Sequence, residues 1–199
     1  MQTLGLSSSE SKRSDGRLKS LLWPSVENAW DVDYLFQQGI WICTVVAVLA
    51  VWGTIWTGNP VIMCIGFLSA CFYVMGGMGV RQGNWPAAAL VFVVYLTGIL
   101  ATGINLYPLG ILRLAVAALL LANVRAAFLA SEWKPAEEGE DRPTRFSESL
   151  TDKYIDQMPA LLWPKLQIPF IIVGVAMLLL SLASLGIVLA QRFGVMPRS

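Results

Sequence analysis

The chain has 199 residues, of which 56% are hydrophobic and only 14% are charged. Soluble domains carry about 25% charged residues, so this composition excludes an ordinary water-soluble domain. The formal net charge of +1 gives no electrostatic basis for binding nucleic acid. No charged residue occurs between Tyr34 and Val80, and most charges fall in residues 1–33 and 131–166. The apolar remainder therefore predicts a membrane protein with little soluble material.

The first 33 residues predict an inner N-terminal tail that ends in a short interfacial helix. Residues 1–20 lack the apolar core of a signal peptide. Ser25 can cap a helix over residues 25–36 that carries Val26, Trp30 and Tyr34 on one face. A plain helical connector that touches the bundle is the alternative.

Four apolar segments follow, each close to the roughly 20 residues that cross a bilayer as a helix. Turn-forming residues separate these segments, including Gly58-Asn59-Pro60, Gly83-Asn84 and Tyr107-Pro108. Backbone polar groups in hydrocarbon must be bonded within their own segment, which favours helices. The predicted transmembrane helices cover residues 39–56, 61–80, 87–104 and 109–130.

Residues 131–166 predict an inner charged loop that contains a second interfacial helix. Leu150, Tyr154 and Met158 recur on one face of a segment over 148–158. Trp163-Pro164 repeats Trp23-Pro24, and both tryptophans are expected at the headgroup level, where proline separates an interfacial segment from the next helix. The fifth predicted transmembrane helix covers residues 168–190.

These elements predict an all-α fold, a polytopic membrane helix bundle of about five transmembrane helices plus short interfacial helices. The whole chain, residues 1–199, forms a single membrane domain in this prediction. Lys and Arg concentrate in the N-terminal tail, at Arg81 and in the loop 131–166. The positive-inside rule therefore predicts the N-terminus inside and the C-terminus outside. The expected location is the plasma (inner) membrane of a bacterium.

Small residues mark the faces where helices are expected to pack closely. In lipid, such residues let two backbones approach because dispersion replaces the hydrophobic driving force. These faces can serve the bundle itself or a partner protein, and the sequence does not distinguish the two. The predicted helix-packing residues are a stripe of the fourth helix and a pair in the second: Ala115, Ala118, Ala122, Ala126, Gly66 and Ala70.

Few residues offer catalytic chemistry. The chain has no histidine, the commonest general base and metal ligand. Its three cysteines lie in apolar segments without a CxxC spacing. No carboxylate lies inside a predicted transmembrane helix, which disfavours proton- or sodium-coupled transport. No catalytic residue, cofactor or metal ligand is therefore predicted.

Three side chains of the fourth helix are candidates for a polar or anion contact: Arg113, Asn123 and Arg125. Both arginines can equally extend their apolar stems and reach the headgroups. Asn123 can form a hydrogen bond between helices.

The expected function is that of a non-catalytic integral membrane protein, a subunit, scaffold or assembly factor of a membrane complex. Its expected partners are the lipid bilayer and other membrane proteins or further copies of itself, reached through the small-residue faces and the loop 131–166. A small-solute transporter or channel is the first alternative. It would need a polar path, and the prolines are expected at turns or helix starts rather than inside transmembrane helices. A lipid-modifying enzyme, the second alternative, would have to use Arg81, Asp31, Asp33 or the inner loop at the interface.

Overall fold

The computed structural model describes Val26 and residues 29–102, 108–132 and 153–193. Five α-helices and one π-helical turn account for nearly all of these residues, and the described ranges contain no strand. The all-α helix bundle predicted from the sequence is thus confirmed. In chain order the elements are α1 (Ala29–Ile55), α2 (Pro60–Arg81), α3 (Trp85–Thr102), α4 (Pro108–Glu132), the π turn (Lys153–Gln157) and α5 (Met158–Arg192).

All five helices are long and apolar enough to cross a membrane. Between 11% and 39% of the residues in the most apolar stretch of each helix are buried within the protein. The many exposed apolar side chains would form a very large water-facing patch in a soluble protein. The helices therefore have the length and surface of a multi-pass membrane protein.

Two short turns set α1, α2 and α3 antiparallel. In the first turn Gly58 has a φ of 62° and the Asn59 side chain accepts a hydrogen bond from the Val61 N–H, which caps α2. In the second turn Gly83 has a φ of 69°, and the Asn84 N–H bonds to the Gly79 carbonyl at 3.0 Å. Glycine adopts positive φ without the cost that a side chain would add.

The first four helices form a ring, since α1 and α3 each pack on both α2 and α4. Helix α5 lies outside this ring and packs on α2 and α3. Because the helices alternate in direction, one end of the bundle holds the starts of α1, α3 and α5 and the ends of α2 and α4. This end carries Asp33, Arg81 and Asp156 and is called the charged end below.

Glycines near the C-terminus of α2 let three helices approach its backbone. A β-carbon added at Gly77 would lie 2.9 Å from the Cys43 β-carbon of α1. At Gly79 it would lie 2.7 Å from the Ala87 β-carbon of α3 and would also collide with the Trp163 ring of α5. Real β-carbon contacts this short are not tolerated without movement, so these positions require glycine.

Trp163 is only 5% exposed, so its ring is buried within the protein, while its depth at the headgroup level stays a prediction. Its ring lies edge-on to Phe170, with centroids 5.5 Å apart. Gly79 leaves the space that the outer edge of the indole ring occupies. The other half of the repeat, Trp23-Pro24, lies outside the described residues.

The sequence predicted that each interfacial segment is separate from the transmembrane helix that follows it. This prediction is wrong for the described residues. Helix α1 begins at Ala29 and runs without interruption, because no proline occurs within it. Helix α5 begins at Met158 rather than at residue 168 and continues through Pro164 and Pro169. Membrane helices tolerate proline because neighbouring groups satisfy the freed carbonyls.

The interfacial helix predicted over 148–158 is described from residue 153 onwards. Residues 153–157 form the π turn, which leads directly into α5. Its apolar contact is made by Ile155, which is buried, whereas Met158 is exposed. Residues 148–152 lie outside the described ranges, as does most of the charged loop.

Candidate functional site

Arg81 ends α2 at the point where the chain turns back into α3. The turn that follows is fixed by Gly83 and by Asn84, whose side-chain oxygen accepts from the Ala87 N–H at 3.0 Å. The Arg81 side chain is 11% exposed and points between α1 and the π turn. The turn thus positions the Arg81 guanidinium between α1 and the π turn.

Two carboxylates accept hydrogen bonds from this guanidinium. Arg81 Nη1 lies 2.5 Å from Asp33 Oδ1 and 3.3 Å from the Asp33 carbonyl oxygen. Arg81 Nη2 and Nε lie 2.5 Å and 3.2 Å from Asp156 Oδ1. The Asp33 and Asp156 side chains are 38% and 36% exposed. Asp33, Arg81 and Asp156, called the ionic cluster below, therefore join α1, α2 and the π turn.

A second polar contact joins the π turn to α1. The Tyr154 hydroxyl lies 2.6 Å from Thr44 Oγ1, and the Tyr154 ring lies 5.9 Å from the Trp41 ring. Thr44 already donates its hydroxyl proton to the Ile40 carbonyl at 2.8 Å. Since a hydroxyl has a single proton to donate, Tyr154 is the donor to Thr44.

The ionic cluster holds three elements together. A guanidinium remains protonated in proteins and cannot act as a base. Both carboxylates are engaged by it, and the described residues contain no group of three His, Cys, Asp or Glu side chains that could hold a metal ion. Asp31, named with Arg81 and Asp33 for an interfacial enzyme, also makes an interaction of its own.

Comparison with protein families, curated proteins and solved structures finds no match. The interpretation of the charged end therefore rests on its own geometry.

Asn123 is fully buried between α1 and α4. Its Nδ2 donates to the Leu119 carbonyl of its own helix at 3.0 Å, while its Oδ1 has no partner among the described residues. A β-carbon added at Gly39 would lie 3.1 Å from this Oδ1. The interhelical hydrogen bond that the sequence suggested is thus replaced by a bond within α4. Gln38 Oε1 is a second buried oxygen for which the described residues offer no partner.

The three candidate polar residues of α4 are not brought together. Arg113 is exposed toward the end opposite the charged end, where its Nη1 lies 3.2 Å from Thr102 Oγ1. Arg125 is half-buried and makes an interaction of its own. About 1.5 Å of rise per residue separates the two arginines by more than three helical turns. No common anion site forms from them.

The predicted packing residues lie largely inside this bundle. Gly66 of α2 faces Thr54 of α1. A β-carbon added at Gly66 would lie 2.8 Å from the Thr54 β-carbon. Ala70 is buried. Ala122 and Ala126 are buried in a cluster that also contains three residues of α1: Val32, Leu35 and Phe36. Ala115 and Ala118 are half-buried. The closest of these faces therefore serve contacts within the chain.

Sequence reasoning named Arg81 and Asp33 but did not identify Asp156 or Tyr154 as their companions. A signal was present, because Arg81 is an isolated charge at the end of a long apolar segment and needs a counter-ion. Asp33 and Asp156 both border apolar segments on the same predicted side. Their convergence depends on how α5 packs, which the spacing of residues does not reveal.

Proposed function

We propose that this chain is a non-catalytic membrane protein, a subunit, scaffold or assembly factor of a membrane complex. In this proposal it resides in the plasma (inner) membrane of a bacterium, with its N-terminus inside. The ionic cluster carries the proposal, because the guanidinium at the charged end is engaged by two carboxylates of its own chain. Such an arrangement supports a rigid surface on which a partner protein can bind. Within the cluster, no side chain is left directed at a substrate.

The hydroxyl groups of the helices support a subunit over a transporter. Each of five hydroxyls donates to a carbonyl four residues earlier in its own helix, so none requires a solute. The five side chains are Thr54, Ser69, Thr97, Thr102 and Ser181.

Partner contacts are assigned in this proposal to the charged end and the loop 131–166. The small-residue faces are less suitable, because Gly66, Ala70, Ala122 and Ala126 are already covered by other helices of the chain. Exposed Lys153 and the partly exposed carboxylates of the ionic cluster offer charge where the loop reaches the bundle.

Site-specific photo-crosslinking in native membranes tests this proposal. A photoreactive side chain at Lys153 is expected to give a protein adduct of one reproducible mass. The matched position is Leu112, an exposed residue toward the opposite end, which is expected to give lipid adducts only. Deleting residues 136–143 should leave the bundle folded and weaken the protein adduct. Lipid adducts alone at both positions would contradict the subunit proposal.

A small-solute transporter is the second candidate, and one observation favours it. Asn123 Oδ1 and Gln38 Oε1 are buried without a partner among the described residues. Uptake of solutes into proteoliposomes by the wild type, lost in Asn123→Leu, would support this candidate over the subunit.

A further inference from the structure

Arg113 is an exposed arginine of α4 that lies toward the end of the bundle opposite the charged end. It comes five residues after Pro108, where α4 begins. Side chains on an α-helix lean toward its N-terminus, and the long arginine stem carries its charge further in that direction. The guanidinium is therefore directed toward the lipid headgroups at the opposite end.

A threonine of the neighbouring helix holds this guanidinium between α3 and α4. Arg113 Nη1 donates to Thr102 Oγ1 at 3.2 Å. The Thr102 hydroxyl proton is directed to the carbonyls of Gly98 and Ile99, at 3.0 Å and 3.2 Å, so its oxygen is the acceptor from Arg113. This contact uses one of the five N–H donors that a guanidinium carries. The other donors have no partner among the described residues.

The acidic residues of the chain lie away from Arg113. No Asp or Glu occurs between Asp33 and Glu132, and none follows Asp156. All acidic side chains therefore belong to segments that adjoin the charged end, where Arg81 is paired with two of them. The described residues thus give Arg113 no carboxylate of this kind.

The surface beside Arg113 is apolar and open. Ile111, Leu112 and Leu114 of α4 and Leu100 of α3 are all exposed. A positive charge at the headgroup level beside such a surface matches a phospholipid, which has a phosphate at that level and acyl chains below it. Arginine suits phosphate because its planar fork can donate two parallel hydrogen bonds to the phosphate oxygens.

We propose that Arg113 and Thr102 form a binding site for the headgroup of an anionic phospholipid in the leaflet at the opposite end. The guanidinium binds the phosphate, and Thr102 holds the guanidinium in place between the two helices. A zwitterionic lipid fits less well, because the described residues place no carboxylate at Arg113 to pair with its cationic group. The site goes beyond the proposed function, since it holds whether the chain is a subunit or a transporter.

Photo-crosslinking of the full chain in nanodiscs tests this site. The nanodiscs contain equal amounts of phosphatidylglycerol and phosphatidylcholine with the same acyl chains. A photoreactive side chain at Leu112 should form about two- to fivefold more adducts with phosphatidylglycerol, the range expected for an exposed ion pair. The matched position is Leu182 of α5, which is exposed and whose nearest charged residues in sequence are Lys165 and Arg192. Its adducts should follow the lipid mixture.

Substitutions separate the charge from its placement. Arg113→Gln should abolish the enrichment at Leu112, whereas Arg113→Lys should keep part of it. Thr102→Val retains the charge but removes the acceptor, so the enrichment should fall. The control is Lys165→Gln, which removes an exposed cation of α5 near the charged end and should leave the enrichment at Leu112 unchanged.

The comparison of Leu112 with Leu182 needs no substitution at the site, so it decides even if Arg113→Gln lowers the yield of folded protein. Equal lipid ratios at the two positions overturn the proposal, as does enrichment that survives Arg113→Gln. Enrichment that is unchanged in Thr102→Val overturns the role of Thr102. A protein adduct at Leu112 in native membranes, without enrichment in nanodiscs, would assign Arg113 to a carboxylate of a partner protein instead.

Discussion

A single guanidinium joins parts of the chain that are far apart in sequence. Arg81 binds one carboxylate 48 residues before it and another 75 residues after it. The Arg81 side chain is only 11% exposed, and an unpaired charge so buried would be costly, so the two aspartates fix where α1 and the π turn can lie relative to α2. At the same scale, the fully buried Asn123 shows the opposite case, a polar oxygen without a described partner.

Asn123 is expected to be replaceable by an apolar residue of similar size. In Asn123→Leu the buried oxygen disappears, and only a bond within α4 is lost. The free energy of unfolding should stay unchanged or rise by up to about 1 kcal/mol, since an unpaired buried polar group is destabilising. Asn123→Asp adds a buried charge and should lower it by about 2–3 kcal/mol. Reversible unfolding in detergent measures both, and a large loss in Asn123→Leu would show that the oxygen has a partner.

Gly66 is expected to reject even a methyl group. In Gly66→Ala the new β-carbon would lie 2.6 Å from Thr54 Cγ2 and 2.8 Å from Thr54 Cβ, and the latter is held close to the α1 backbone. The expected loss in unfolding free energy is about 1–3 kcal/mol.

The control for Gly66 is Gly53→Ala, one residue before Thr54, where a new β-carbon meets no atom within 4 Å. Alanine there should be neutral or stabilising by up to about 1 kcal/mol, since it restricts the unfolded chain. Equal melting temperatures for the two variants would mean that α1 and α2 are not in close contact at this level.

At the scale of the element, helix type and number followed directly from composition. The apolar segments and their turn residues predicted α2, α3 and α4, and each begins with or next to a proline that suits the first helical turn: Pro60, Pro86 and Pro108. The first residues of α1 and α5 were not predicted correctly from the sequence, because the polar residues at the starts of these helices resembled separate interfacial helices.

The errors share a physical cause. Whether the Trp163 ring can be buried depends on the absence of a side chain at Gly79, which lies 84 positions and three helices earlier in the chain. Pro169 stands inside α5 on an exposed face of that helix. Asp156 meets Arg81 only after α5 has docked. Local patterns identify helices, whereas these features depend on which helices become neighbours.

The alanine stripe of α4 is expected to tolerate added volume unevenly. In Ala122→Leu the larger side chain enters a buried cluster with α1, and the unfolding free energy should fall by about 1–3 kcal/mol. Ala118 is half-buried, so Ala118→Leu should cost less. The matched control is Ala183→Leu in α5, where the alanine is exposed and lipid can accommodate the change. Thermal unfolding measures the three variants. Melting temperatures equal to that of the wild type in all three would place the stripe outside the packed core.

At the scale of the whole molecule, the five described helices that are long and apolar enough to cross a membrane predict that the two ends of the chain lie on opposite sides of a bilayer. Helix α5 has 35 residues, which at 1.5 Å per residue extends about 50 Å. The hydrocarbon core is about 30 Å thick, so part of α5 must tilt or extend beyond it. The π turn and the ionic cluster lie at the start of α5.

Reporter fusions test the orientation of the whole molecule. A reporter active only in the inner compartment should work when fused after Ser14 or within residues 136–143, because Lys and Arg concentrate in these segments. The same reporter should be inactive after Ser199. Activity at the C-terminal fusion would show an even number of crossings or a reversed orientation.

The position of α5 outside the ring of four has a consequence for biogenesis. The ribosome completes α1–α4 before α5 emerges, and all contacts that close the ring lie within those four helices. Until α5 docks, the cleft at Gly79 stays open and Arg81 has Asp33 but not Asp156 beside it. Trp163 and Asp156 arrive with α5 and the π turn and fill both places together, so docking of α5 completes the packing around the end of α2.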